Sequence, residues 1–262
     1  MTQDKKNVDT RQSLKVVTTN SFITAKGLPE LTLKARKLLL IAIGQCQLKD
    51  TDFYEYSITI QEFANLMGID SSHVYETADS ITDELIKAII RIDFGQDEGF
   101  KKVPLFAECE YKSGVIAFQL NQKMTQTLLG LRGDFTQPLL NDFMKMRSPY
   151  SMQIWHLMQR EMKSKKPGVS NIIEFDLTLD ELRAVTGTEN KLATVGNFKN
   201  RILNKAIREI ESNCGVRIQY ENIKNGRFVT GFHFSAISTF HVDVSKIDPE
   251  TIAKIEAFKQ RK

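Results

Sequence analysis

Apolar positions along residues 194–210 recur every three or four places. Phe198, Ile202, Leu203, Ala206, Ile207 and Ile210 form one face of a helix, and Asn197, Asn200, Arg201, Asn204 and Lys205 occupy the rest of its circumference. The same periodicity predicts helices from Leu31 through Ala35, Leu38, Leu39, Ala42 and Ile43, over 60–67, over about 72–90, and from Pro149 through Ile154, Trp155, Leu157, Met158 and Met162. Short strands are expected at 56–59 and 172–177. Residues 103–111 and 115–120 flank Lys112-Ser113-Gly114 as a hairpin, and 216–220 and 227–234 flank Asn225-Gly226, a pair suited to a tight hairpin turn. Residues 122–146 read as a helical connector interrupted around Gly130, Gly133 and Pro138. Residues 1–20 are polar and read as a flexible segment, and Asp248-Pro249 opens a tail helix within 241–262.

The punctuation of these elements is duplicated. Thr59-Ile-Gln-Glu62 and Thr178-Leu-Asp-Glu181 both have capping-box spacing, and the helices they open stop at Gly68 and Gly187. Residues 56–68 line up with 175–187, and Leu85-Ile-Lys-Ala-Ile-Ile-Arg-Ile92 lines up with Leu203-Asn-Lys-Ala-Ile-Arg-Glu-Ile210. Each half reads helix, strand, helix, helix, hairpin, which is a helix-turn-helix followed by a two-stranded wing. The expected fold is α+β: two tandem winged-helix domains related by internal duplication, at 21–130 and 148–240, joined by a connector at 131–147.

Composition excludes several classes. The 41% apolar and 26% charged content is that of a soluble globular protein, and no apolar run reaches the length of a membrane span. Residues 1–10 do not resemble a signal peptide. Cys46, Cys109 and Cys214 are widely spaced and odd in number, as expected of reduced thiols in a bacterial cytoplasm. Charge is divided unevenly. Residues 21–130 carry 11 Lys and Arg against 15 Asp and Glu, and residues 148–240 carry 13 against 9, so the second half presents the more anion-friendly surface.

That asymmetry is sharpest on the two aligned helices. Ahead of the shared Lys-Ala-Ile, the first has Glu76, Asp79, Asp83 and Glu84, and the second has Asn197, Lys199, Asn200 and Arg201, with Asp83 aligned to Arg201. Carboxylates repel a phosphate backbone and cations release its counterions. Asn suits adenine, and Arg suits guanine or phosphate. The second copy is therefore expected to read duplex DNA through Asn197, Lys199, Asn200, Arg201, Asn204 and Lys205, with Lys191 just ahead of the helix. The first copy is expected to mediate self-association as a dimer, with only auxiliary DNA contact. Lys224 and Arg227 bracket the second wing turn, where phosphate contact and the ordinary polarity of turns account equally well for Lys224. Arg147, Ser148 and Tyr150 start a helix whose N-terminus suits a phosphate, or Ser148 simply caps it.

Other chemistry is not supported. A rolling-circle nickase needs a His-x-His metal pair, which His73, His156, His233 and His241 do not supply. Gly226 to Gly231 has the glycine spacing of a P-loop, but Phe232-His233 stand where Lys and Ser/Thr are required. No cofactor, metal or catalytic residue is expected.

Leu31-Thr-Leu-Lys-Ala-Arg-Lys-Leu-Leu39, Met146-Arg-Ser-Pro-Tyr-Ser-Met-Gln-Ile-Trp155 and the stretch from Asn197 to Ile210 resemble the iteron-binding plasmid replication initiators, the tandem winged-helix Rep proteins. The resemblance covers roughly 17–237. It departs at Trp155, where the family usually has another aromatic residue, often Tyr. It implies binding to direct repeats at an origin, local duplex opening, recruitment of host initiator and helicase, and a monomer–dimer equilibrium in which dimers repress the protein's own promoter. A winged-helix transcriptional repressor without initiator activity is the alternative.

Overall fold

The computed structural model describes residues 14–46, 55–68, 74–95, 99–128, 135–164 and 172–238. The chain divides into two compact units, Met1–Pro149 and Tyr150–Lys262. The tail helix expected within 241–262 lies outside the described residues.

The first unit is built on α1 (Leu33–Gln45), in which every residue from Ala35 to Gly44 is buried. A helix apolar on nearly all sides must lie inside its domain. It starts at Leu33 rather than Leu31, because the Thr32 hydroxyl accepts a hydrogen bond from the Ala35 amide. Its two buried cations end on carbonyl oxygens: Lys37 Nζ donates to Met144 at 2.7 Å, and Arg36 Nη2 donates to Leu28. Strand β1 (Glu55–Thr59) leads into α2 (Ile60–Met67), whose capping box is complete. The Thr59 side chain accepts from the Glu62 amide, and the Glu62 carboxylate accepts from the Thr59 amide and hydroxyl. Gly68 closes α2 at φ 63°, a left-handed geometry that glycine adopts without penalty.

Next come α3 (Val74–Lys87), β2 (Ile89–Gly95), β3 (Gly99–Pro104), β4 (Phe106–Lys112) and β5 (Val115–Leu120). The strands form an antiparallel sheet in the order β1-β5-β4 and a separate β2–β3 hairpin. Phe63, Leu85, Ile90, Leu105, Phe106, Ile116 and Phe118 are among its fully buried side chains.

In the second unit, α4 (Pro149–Ser164) buries Ile154, Trp155, Leu157 and Met158. Strand β6 (Ile172–Thr178) and α5 (Leu179–Thr186) repeat the first unit's punctuation, with a complete Thr178/Glu181 capping box and Gly187 at φ 62°. Helix α6 runs over 195–214 and is followed by β7 (Val216–Asn225) and β8 (Phe228–Ser238). The sheet order is β6-β8-β7. In both units the strand before the helix-turn-helix therefore pairs with the last strand of the wing. Phe175 stacks on Phe234 with centroids 5.4 Å apart, and Tyr220 meets Phe232 edge-on at 5.3 Å, so aromatic contacts fasten the three strands to one another. Gly231 lies so close to β6 that a Cβ there would come within 2.7 Å of the Leu177 carbonyl oxygen.

Three sequence expectations need correction. Residues 14–20 are not a loose leader: Thr18–Thr19 pair with Phe135–Thr136, Leu140 donates its amide to Leu14, and Val16 and Thr18 are buried. The stretch 131–147 is not a connector either. Where described, it belongs to the first unit, and the helix Leu140–Lys145 buries Leu140, Phe143 and Met144.

The pairing of 85–92 with 203–210 also fails. Helix α3 ends at Lys87, and Ile89 to Ile92 lie in β2, whereas 203–210 is helical throughout. A run of isoleucines satisfies both periodicities. Here Ile90 and Ile92 are buried and Ile89 is 54% exposed, the alternation of a strand. The β2–β3 hairpin is thus an insertion between α3 and the wing, absent after α6. Asp83 falls in the last turn of α3 and is no counterpart of Arg201.

Candidate nucleic-acid interface

The turn between α5 and α6 is organised by one buried side chain. Arg183, 8% exposed, donates Nη1 to the carbonyls of Thr188 (3.0 Å) and Lys191 (2.8 Å), and Nη2 to those of Leu192 (2.9 Å) and Ala193 (3.4 Å). Its guanidinium also lies 5.4 Å from the Phe198 ring centroid. These bonds hold a loop in which Leu192 sits at φ 53°, a conformation unfavourable for leucine. Thr194 then caps α6 by accepting from the Asn197 amide. Sequence reading missed Arg183, although a signal was present. In the aligned repeats its position is Ala64, a buried core residue, so an arginine occupies a core-facing slot.

Helix α6 is not uniform. It has an α-helical first turn (Val195–Phe198), a π-helical turn (Lys199–Leu203) and a regular α-helix (Asn204–Cys214). Phe198, Ile202, Ala206 and Ile210 stand four apart, a row that drifts around a helix of 3.6 residues per turn. The wider π turn absorbs that drift, so all four are buried together with Leu203 and Ile207. Turns of this kind are frequent at functional sites.

The polar residues divide into two groups. Asn197, Asn200, Arg201 and Lys205 are exposed. Arg201 makes no ion pair or hydrogen bond with the described residues. Arg208, which sequence reading passed over, continues this stripe two turns beyond Arg201 and is also exposed, with its Nε donating to the Asn204 carbonyl at 3.2 Å. Lys199 and Asn204 instead tie α6 to the wing. Lys199 Nζ donates to Asn222 Oδ1 at 3.1 Å and lies 5.2 Å from the Tyr220 ring centroid, and the Tyr220 hydroxyl donates to Asn204 Oδ1. Burial pushes the Tyr220 phenol pKa up, so it remains a protonated donor at neutral pH.

Lys191, Lys224 and Arg227 are all exposed, the last two flanking the wing turn. Arg147 and Ser148 fall in the first unit, and Tyr150, 36% exposed, lies on the first turn of α4. The fold therefore brings Lys191 and the α6 stripe together on one unit and does not place Arg147 and Ser148 there.

The corresponding surface of the first unit is acidic. Tyr75, Glu76, Asp79 and Asp83 are exposed along α3, with Asp83 paired to Lys87. Glu84 is engaged elsewhere, its carboxylate accepting from the Thr32 amide (2.6 Å) and hydroxyl (2.8 Å) at the N-terminus of α1.

Among the described residues, no cluster of His, Cys, Asp and Glu is arranged to hold a metal ion, and no helix is long and apolar enough to cross a membrane. His233 bonds Asp176 Oδ1 at 2.6 Å, while His73 and His241 lie outside the described residues.

Two three-stranded winged-helix units, one carrying an exposed Asn/Arg/Lys stripe on its third helix, define a DNA-binding architecture. The sequence matches the family described as Initiator Replication protein, WH1 over residues 15–159, and Initiator Rep protein, WH2 over residues 178–236. The chain belongs to this replication initiator family, a family of DNA-binding proteins. Its fold is similar to that of the Pi initiator protein solved in complex with iteron DNA, with TM-score 0.73, 18% identity, and coverage of 88% of this chain and 99% of that one. It is also similar to domains 2 and 3 of RctB, with TM-score 0.50, 14% identity, and coverage of 80% and 84%.

Proposed function

We propose that this protein is a plasmid replication initiator that binds direct repeats at its origin, opens the neighbouring A·T-rich duplex and recruits the host initiator and helicase. One observation carries the reading: Asn197, Asn200, Arg201 and Lys205 stand exposed on a helix whose entry turn is fixed by the buried Arg183. A stripe of this composition, presented by the second helix of a helix-turn-helix, suits the major groove. Lys191, Lys224 and Arg227 supply phosphate contacts, and Lys199 and Asn204 set the angle between helix and wing.

The first unit mediates self-association. Its β4 strand pairs only with β5 among the described strands, which leaves an edge for a second copy, and its acidic α3 suits DNA poorly. Binding energy spent on bending repeated sites destabilises adjacent duplex without covalent chemistry.

The test is permanganate footprinting of a supercoiled plasmid carrying the protein's own origin. Initiator activity predicts protein-dependent reactivity of thymines beside the repeats. Protection of the repeats without such reactivity identifies a repressor instead. Metal-dependent nicking by the pure protein overturns the non-enzymatic reading.

A further inference from the structure

The tip of the second wing carries a feature that major-groove reading does not use. Phe228 is 65% exposed, more than Tyr75 at 60% or Ile89 at 54%. Alternation along β8 would place it on the face of Phe232 and Phe234, both fully buried. A bulge prevents this. Val229 pairs with Lys224 and Gly231 with Ile223, so Thr230 is an extra residue in β8. One inserted residue reverses the alternation beyond it. Phe228, opposite Asn225, is thereby turned off the core face and left in water. The Arg227 guanidinium sits 5.1 Å from its ring centroid, and Lys224 and Arg227 flank the turn. No carboxylate occurs from Asn222 to Thr230. The first unit's own wing is built differently: it turns at Ser113-Gly114, and the nearby Tyr111 is held edge-on against Tyr75 at 5.4 Å, while the unit's exposed Phe100, with Arg91 3.9 Å from its ring centroid, stands on the separate β2–β3 hairpin.

We infer that Phe228 is a minor-groove wedge, entering a base step with Arg227 alongside it. Reach supports this placement. Lys199 of α6 is tethered to Asn222, and the four residue steps from there through the end of β7 carry the chain about 13 Å to the turn at Gly226. A helix seated in the major groove has the adjacent minor groove about half a helical turn away, or roughly 17 Å. Apolar side chains inserted there partly unstack a step and kink the duplex, at least cost at flexible pyrimidine–purine steps. The cations provide attraction to a narrow A·T groove, and the ring provides the deformation. The inference rests on the DNA-binding reading above, and it assigns the bending of the repeat to a single side chain.

The test uses the full chain and duplexes carrying the direct repeat of its own origin. 2-Aminopurine is placed in turn at each pyrimidine–purine step, and end-to-end energy transfer reports bending. Wild type is expected to raise 2-aminopurine fluorescence several-fold at one step and to bend the duplex. Phe228→Ala is expected to lose both signals while binding the repeat within about tenfold of wild type, and Phe228→Leu to recover part of each. A Phe228→Ala chain that unstacks and bends like wild type, or a wild-type chain that binds the repeat without unstacking any step, overturns the wedge. A wild-type chain with no preference for the repeat over scrambled duplex overturns the functional reading and the wedge with it.

Discussion

The two units share their punctuation and differ where a ligand would lie. Both have a complete Thr/Glu capping box, a left-handed glycine stop and a sheet in which the first strand pairs with the last. Between glycine stop and wing they diverge. The first unit has a 14-residue acidic helix and an inserted hairpin. The second has a longer helix with a π turn, and a wing whose strands are 10 and 11 residues long. Duplication preserved the parts that specify the fold, and the surfaces free of that duty acquired opposite charge. The acidic copy suits a protein partner, and the basic copy suits a polyanion.

The largest break in this comparison should come from Arg183. Its counterpart Ala64 has no side-chain donor that could make such bonds, so Arg183→Ala should destabilise the second unit alone, by roughly 3 kcal/mol. Trp155 is the only tryptophan and lies in that unit, so its fluorescence in a urea titration isolates the effect. An unchanged midpoint would remove Arg183 as the organiser of the turn.

Next in size is the reading stripe. Arg201→Ala should lose roughly 1–3 kcal/mol of discrimination between repeat and scrambled duplex if Arg201 bonds a base edge. If it contacts phosphate, all sequences weaken together and the salt slope falls by about 1. Asp79→Ala on α3 should leave binding unchanged or slightly tighter. Anisotropy titrations at several salt concentrations separate these cases, and equal losses from both variants would erase the proposed division of labour.

The capping boxes should behave alike. Thr59→Ala and Thr178→Ala should each cost about 1 kcal/mol, detected as faster amide exchange in the helix each one opens. Sharply unequal costs would show that the shared geometry hides different energetics.

The smallest effect concerns acid. Burial raises the Glu181 pKa, but hydrogen bonds from the Thr178 amide and hydroxyl and from Arg160 outweigh it and hold the carboxyl below its ordinary 4.5. A pKa lowered in the folded state stabilises above the unfolded value, and that contribution is lost as pH falls through the folded one. Glu181 is 39% exposed, so solvent screens the gain and the effect is slight. Arg160→Ala should therefore shrink the loss of second-unit stability seen by Trp155 fluorescence as pH drops below about 4.5. An identical acid profile in that variant would deny the arginine this role.

Local chemistry was legible in the sequence. Capping boxes, glycine stops, the Asn225-Gly226 turn and the apolar face of α6 depend on residues within one or two turns of one another, so a linear pattern carries them. The charge contrast between halves was legible for the same reason. Tertiary structure decided what depends on partners far along the chain. Ile89 and Ile90 became strand because Ile90 found a core and Val103 a matching register, although a helical reading fitted the isoleucine run equally well. Residues 14–20 and 135–146 were ordered by pairing with each other across more than a hundred positions. Lys199 and Asn204 are tied to the wing only because it places Asn222 and Tyr220 beside them, and Arg183, which the sequence pattern did not single out, acquires its role only where four carbonyls converge on it. The bulge at Thr230, which frees Phe228, exists only as a mismatch between two strands, and no single stretch of sequence encodes it.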